Sequence, residues 1–231
     1  MERSGAEPLN KITVVNQPEF VSAVLKNPVN REIVTRLQSL KVSDAWLVSG
    51  ALFQSAWNAI SGRAPDYGIK DYDIFYFDRD LSWEAEDAII RRASQVFSDL
   101  GQRIEIRNQG RVHLWFQERF GASYSPLSCA TQGIDRFLMT CAQVGIGHGT
   151  DGLAVYAPSG FADIEDMIIR PNRTSNFQAS GTTKRRQDGK EIGPNSQYCP
   201  REPSKSLAQT HVTLDLRRIG EIGHNLPDSV A

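Results

Sequence analysis

The run Gly68-Ile69-Lys70-Asp71-Tyr72-Asp73-Ile74-Phe75-Tyr76-Phe77-Asp78 limits the possible folds more than any other stretch, because it sets two carboxylates among side chains that belong in a core. Isoleucine, phenylalanine and tyrosine between 72 and 77 favour a pleated, largely buried strand. Alternate residues of a strand share a face, so Asp71 and Asp73 point to the same side and Phe75 and Phe77 follow them. Two carboxylates about 7 Å apart on one face repel each other beside apolar surroundings. A divalent cation bound by both removes the conflict, and an all-oxygen donor set suits Mg²⁺ or Mn²⁺. The alternative is that both aspartates lie in a solvated turn ahead of the strand and cap it.

The rest of the chain bears on that choice. Its 231 residues, 40% of them hydrophobic, suffice for one good-sized globular domain or a domain with an appendage. A formal charge of −1 excludes a global basic field for holding nucleic acid. No apolar run is long enough to span a bilayer, and the N-terminus lacks a basic region followed by an apolar one, so a cytoplasmic protein without membrane attachment is expected. Cys129, Cys141 and Cys199 are odd in number and widely spaced, which suggests neither a disulfide framework nor a zinc site.

From Gln17 to Lys41 the apolar residues recur at three- and four-residue intervals and predict two short helices broken near Asn27-Pro28. Ala45 to Gly50 is an apolar run ending in glycine, followed by helical spacing through Leu52, Ala56, Trp57 and Ile60. A glycine opening a helix lets a phosphate approach the free backbone amides and the positive end of the dipole, which makes Gly50 and Ala51 candidates for nucleotide binding. A tight turn between packed elements fits the same residues. After the acidic strand, Asp80 and Ser82 offer an N-cap to a long amphipathic helix with Glu84, Glu86 and Asp87 in its first turn and Trp83 and Ile89 on its core face. Gly101 stops it. Arg103-Ile104-Glu105-Ile106-Arg107 then alternates, with Glu105 facing away from the isoleucines between two arginines. If this strand lies beside the Asp71 strand, Glu105 is the third carboxylate of a metal site; if it is an edge strand, Glu105 is a solvated partner for Arg103 or Arg107.

Taken together, Gly50-Ala51, the run 69–78 and Glu105 in a later strand resemble the signature of the polymerase-β-like nucleotidyltransferase superfamily. More narrowly, Ala56-Trp57-Asn58, the runs 80–86 and 107–116, Tyr156-Ala157-Pro158 and Arg170-Pro171-Asn172 are similar to a bacterial family of nucleotidyltransferase-like proteins, over roughly Leu40 to Asn172. The resemblance implies an α/β (α+β) fold, a mixed β-sheet flanked by helices. It also implies Mg²⁺ or Mn²⁺ held by Asp71, Asp73 and Glu105, and a nucleoside triphosphate with its phosphates at the Gly50 turn. Ala51 stands where that superfamily usually has glycine or serine, so backbone amides alone are left to serve there. Lys70, Asn108, Arg111 and His113 are further nucleotide-binding candidates, the arginine because its fork grips two oxygens at once. Trp57, Trp83 and Trp115 are expected in the core.

The run Gly145-Ile146-Gly147-His148-Gly149-Thr150-Asp151-Gly152 lacks the lysine-plus-hydroxyl ending of a phosphate loop and reads as a hairpin turn between flanking strands. A short helix carrying Asp163, Glu165 and Asp166 follows, read as a solvated face. Beyond Asn172 polar residues dominate, with a basic cluster at Lys184-Arg185-Arg186 and one alternating segment, Val212-Leu214-Leu216. The expected organisation is a helical segment over 1–40, a core over 41–172 and an irregular tail over 173–231. The expected activity is transfer of a nucleotidyl group from a nucleoside triphosphate to a hydroxyl on a small molecule, an RNA or a protein. The alternative is an inactive module of the same fold that binds a nucleotide or a protein partner.

Overall fold

Residues 12–174 are described by a computed structural model of the chain. The tail segments singled out above, including Cys199, lie outside the described residues. Helices α1 (Gln17–Val24) and α2 (Pro28–Arg36) form the predicted pair. Asn27 separates them and caps the second, its side chain accepting from the Val29 amide at 2.9 Å. Strand β1 (Trp46–Val48) leads into α3 (Gly50–Ile60), and β2 (Tyr72–Tyr76) into α4 (Trp83–Val96). Next come β3 (Ile104–Asn108), α5 (Val112–Phe120), α6 (Thr131–Ile134), the hairpin β4 (Gly145–Gly149) and β5 (Gly152–Tyr156), and α7 (Ala162–Glu165).

The strands form one mixed sheet in the order β3-β2-β1-β4-β5, in which β2 and β3 are parallel and the other pairs antiparallel. Registered neighbours share a face. Leu47, Ile74, Ile106 and Ile146 therefore line one side, all of them buried, and pack with Phe20, Ile33, Leu52 and Ile89 of α1 to α4 into a single core. The N-terminal helices thus share the hydrophobic centre of the sheet. Buried amides fix this packing: Asn27 Nδ2 donates to Ser55 Oγ at 3.1 Å and to Tyr72 Oη at 3.2 Å, and Asn30 Nδ2 to Ser55 Oγ at 2.9 Å. They tie α2 to α3 and β2, the elements that carry the site.

The opposite side carries Val48, Asp73 and Glu105 in one row and Trp46, Phe75 and Arg107 in the next. Part of it is covered by the segment around α6, where the Phe137 ring stacks on Phe75 at 5.3 Å and the Tyr156 hydroxyl donates to Asp135 at 2.8 Å.

The glycine run corrects the sequence reading: residues 145–149 are themselves a strand, and Thr150-Asp151 alone make the turn. The glycines are there for close packing. A Cβ on Gly147 would lie 2.7 Å from the Ala45 carbonyl and 2.9 Å from the Trp46 indole, and one on Gly145 would meet Ile134 at 2.6 Å. Two other expectations also change. Trp83 is 49% exposed rather than core, because it is the first residue of α4, directly after the Ser82 cap, and the helix turns inward only from Glu86 onward. Asp163 is not a solvated charge but an ion-pair partner of Arg170 at 3.1 Å and an acceptor from Thr140. Cys141 is buried, which pushes its thiol up to about 12 and leaves it inert. Among the described residues no helix is long and apolar enough to cross a membrane.

Gly147→Ala is expected to cost about 1–3 kcal/mol by overpacking against backbone and indole. Gly149→Ala, whose nearest contact would be 3.5 Å away at Ala154, should stay within about 0.5 kcal/mol. Urea denaturation of both variants checks the pair.

Candidate functional site

Parallel pairing of β2 with β3 matches Asp73 to Glu105, while β1 brings Val48 to the other side of Asp73. Asp71 stands just ahead of β2, and the Tyr72 amide donates to the Arg103 carbonyl at 2.9 Å, so Asp71 and Arg103 extend the register by one step. The β2 and β3 carboxylates therefore lie on one side of the sheet, turned away from the core. Asp71 and Asp73 have no hydrogen-bond or ion-pair partner among the described residues, although both are partly buried. Burial pushes the Asp73 carboxyl up to about 7, with the Asp71 and Glu105 charges adding to the rise and Arg107 and Arg103 opposing it.

Glu105 is differently placed. Its carboxylate takes Arg103 at 2.5 Å and Arg107 at 3.6 Å, and its own side chain is 12% exposed. Both placements foreseen for its strand occur together, since β3 is the neighbour of β2 and also an edge of the sheet, and Glu105 is an arginine partner but is enclosed rather than solvated. An all-oxygen pair with no protein counter-ion fits a hard divalent cation. Asp71 and Asp73 meet that description as they stand, whereas Glu105 is adjacent but committed to arginines. Accordingly, among the described residues no group of three metal-ligating side chains is gathered closely enough to hold an ion.

Helix α3 begins directly after the Val48–Asp73 row, with the Gly50 and Ala51 amides in its first turn and so without an intrahelical acceptor. The backbone conformation that favours glycine falls at Ser49, not at Gly50: Ser49 has φ 54° and ψ −117°. A buried serine in that region stores on the order of 1–3 kcal/mol of strain. The Ser49 amide, bonded to the Val144 carbonyl at 2.9 Å, helps to hold it there. Ala51 turns its methyl into the core. Lys70 is exposed beside Asp71.

Asn108, Arg111 and His113 occupy the far end of β3, with Asn108 about 10 Å beyond Glu105 along the strand. There Asn108 and Arg111 have structural work. The Asn108 side chain accepts from the Asp78 amide at 3.0 Å and the Gly110 amide at 2.9 Å and donates to the Asp78 carbonyl at 3.2 Å. Arg111 pairs with buried Glu86 and lies 5.2 Å over the Trp83 ring. His113 follows on α5, with Nδ1 buried and no partner for it among the described residues. The sequence reading missed Glu86, whose carboxylate also accepts the Asn108 amide at 3.0 Å. The signal was available: Glu86, Ile89 and Ala93 share one helical stripe, so Glu86 had to face inward.

Three comparisons bear on this arrangement. A family model described as nucleotidyltransferase matches residues 35–192. No curated protein matches the chain. Among solved structures, the chain is similar at 25% identity and a TM-score of 0.56 to a protein whose NMR structure is described as revealing a CCA-adding enzyme head domain; the match covers 71% of this chain and 83% of that one.

A carboxyl raised to about 7 in the folded chain, against about 3.9 unfolded, binds a proton that the unfolded chain releases. Its contribution to stability is fully present below the unfolded value and is lost as pH rises through about 7. Asp73→Asn, which cannot ionise, should therefore be more stable than the parent at pH 8, by as much as about 4 kcal/mol. The gain should vanish near pH 4; calorimetric melts at both pH values decide this.

Proposed function

The chain belongs to the nucleotidyltransferase family, and from that premise we propose that it transfers a nucleotidyl group from a nucleoside triphosphate to a hydroxyl acceptor on the sheet face formed by Asp71, Asp73 and Glu105. The observation that carries the proposal is the row Val48–Asp73–Glu105, with the start of α3 at its end, and beside it Asp71, which like Asp73 has no hydrogen-bond or ion-pair partner among the described residues.

Asp71 and Asp73 would hold Mg²⁺ or Mn²⁺, with Glu105 completing the set. A divalent ion bound there draws negative charge off the phosphates and lowers the pKa of an attacking hydroxyl. The protein's own part is separate. The free amides of Gly50 and Ala51 offer an anion-binding helix start, aided by the positive end of the α3 dipole. Glu105 is the nearest carboxylate to Asp73 on another strand and is suited to accept the acceptor's proton. Asp73 must lose its own proton to act as a ligand, so a divalent cation competes with a proton there and its binding should tighten as pH rises toward about 7. Asn108 is left out of the nucleotide site because Glu86, Asp78 and Gly110 already engage its polar atoms, and Arg111 because Glu86 pairs with its guanidinium, although Arg111 Nε has no hydrogen-bond partner among the described residues. The compartment expected from the sequence remains cytoplasmic, and the acceptor is a hydroxyl of unspecified origin.

A second reading has one specific observation behind it. Glu105 is held by Arg103 at 2.5 Å, an arrangement that suits a fold kept for binding nucleotide without turnover.

Release of labelled pyrophosphate from γ-labelled nucleoside triphosphates, with Mg²⁺ and either water or added acceptors, separates the two readings. Asp71→Asn, Asp73→Asn and Glu105→Gln should each slow release about 100-fold or more, and EDTA should abolish it. A parent protein that binds triphosphate by calorimetry yet never releases pyrophosphate would favour the binding module. Variants as active as the parent would put the chemistry elsewhere.

A further inference from the structure

On the strand-edge side of the acidic face, Arg103, just ahead of β3, and Glu105 and Arg107 within it stand at alternate positions and therefore on one side of the sheet. In the register of β2 these three stand opposite Asp71, Asp73 and Phe75. Arg103 has an unpaired carboxylate across from it in Asp71. Its guanidinium nevertheless runs along its own strand to Glu105, 2.5 Å away, where Arg107 also arrives at 3.6 Å. Two guanidinium groups thus converge on a single carboxylate while the two aspartates beside it have none.

We propose that Arg103 and Arg107 are a polyphosphate-binding pair, which hold Glu105 while the site is free of nucleotide and exchange it for phosphate oxygens when Glu105 joins the aspartates around a cation. This rests on the nucleotidyl-transfer reading above and adds to it the residues that receive the anion.

Three physical points support the exchange. A carboxylate and a phosphate offer a guanidinium the same thing, two oxygens accepting parallel N–H bonds, so Glu105 occupies the place a phosphate can take. The arginines are also within reach of a ligand, with side chains 47% and 27% exposed against 12% for Glu105. Formal charge points the same way: three carboxylates and two guanidiniums sum to −3 + 2 = −1, and one divalent cation brings the face to −1 + 2 = +1. Without the arginines the loaded face would be −3 + 2 = −1, which repels a polyphosphate. The arginines therefore decide the sign of the field that the incoming anion meets.

Two titrations of the full chain test this: Mn²⁺ alone, followed by electron paramagnetic resonance, and inorganic tripolyphosphate in the presence of Mg²⁺, followed by calorimetry. In an Arg103→Gln/Arg107→Gln double variant, tripolyphosphate should bind about tenfold or more weakly, while Mn²⁺ binds at least as tightly as in the parent, because Glu105 is released to it. Arg103→Lys/Arg107→Lys, which keeps the charge and loses the fork, should fall between parent and double variant for tripolyphosphate. Unchanged tripolyphosphate binding in the glutamine variant overturns the proposal while leaving the transfer reading intact. Loss of Mn²⁺ binding in step with tripolyphosphate also overturns it, since the arginines would then serve only to position Glu105. A parent protein that takes up neither Mn²⁺ nor tripolyphosphate removes both readings together.

Discussion

Asp73 and Glu105 stand side by side on neighbouring parallel strands, roughly 5 Å apart at the backbone, and every other feature of the acidic face is a way of living with that pair. Like charges that close can be relieved by protonating one, by pairing one with a cationic side chain, or by binding a metal ion between them. The first two are visible. Asp73 is driven toward its protonated form at neutral pH, and Glu105 is covered by Arg103 and Arg107. Both are also the states that a divalent cation displaces, since it competes with a proton for Asp73 and with guanidinium for Glu105.

What enforces the juxtaposition lies on the other side of the sheet. Ile74 of β2 is registered with Ile106 of β3 and Leu47 of β1, all buried in the common core. A slip of one residue between β2 and β3 would turn Ile104 and Ile106 out of that core and bring Glu105 and Arg107 in. Such a change would give up the burial of Ile106, about 1.5–3 kcal/mol, together with the partial burial of Ile104, and leave a desolvated charge besides. The apolar face thus holds the carboxylates together against their repulsion, and it does so through residues that touch no ligand. The buried amide contacts of Asn27 and Asn30 extend this hold to α3, so that the helix start beside Asp73 is fixed by the same packing.

Much of this was legible in the chain, because the signals are local. Period-two alternation marks β2 and β3, three- and four-residue spacing marks α1, α2 and α4, and the two aspartates stand out from an otherwise apolar strand. Pairing is not local, and there the reading stopped short. Nothing within Arg103–Arg107 tells whether Glu105 will be beside Asp73, at a sheet edge, or both. The glycines of β4 read as a turn because the reason for them is distant: the Trp46 indole and Ile134 fill the space their side chains would have taken. The contacts that Arg111 and Asn108 make with Glu86 were not legible because Glu86 sits a full helix earlier. At Ser49 a left-handed backbone was hidden because glycine, the usual marker, occupies the next position.

The ion pairs of Glu86 with Arg111 and of Glu105 with Arg103 show how burial sorts structural charges from exchangeable ones. Glu86 and Arg111 are 9% and 13% exposed, and Glu86 also accepts the Asn108 amide. Removing either partner would strand a buried charge at a cost of about 3–5 kcal/mol, so this pair fixes the far end of the strand. Arg103 is 47% exposed where it meets Glu105, and an ion pair with that much solvent around one partner contributes at most about 1 kcal/mol. A bond that weak is readily surrendered to a ligand that offers either partner more. The same residue types, a few positions apart, thus lock one end of the strand and leave the other able to rearrange. The rearrangeable end is the one beside the unpaired aspartates and the open start of α3, where an incoming phosphate and cation gain from the exchange together.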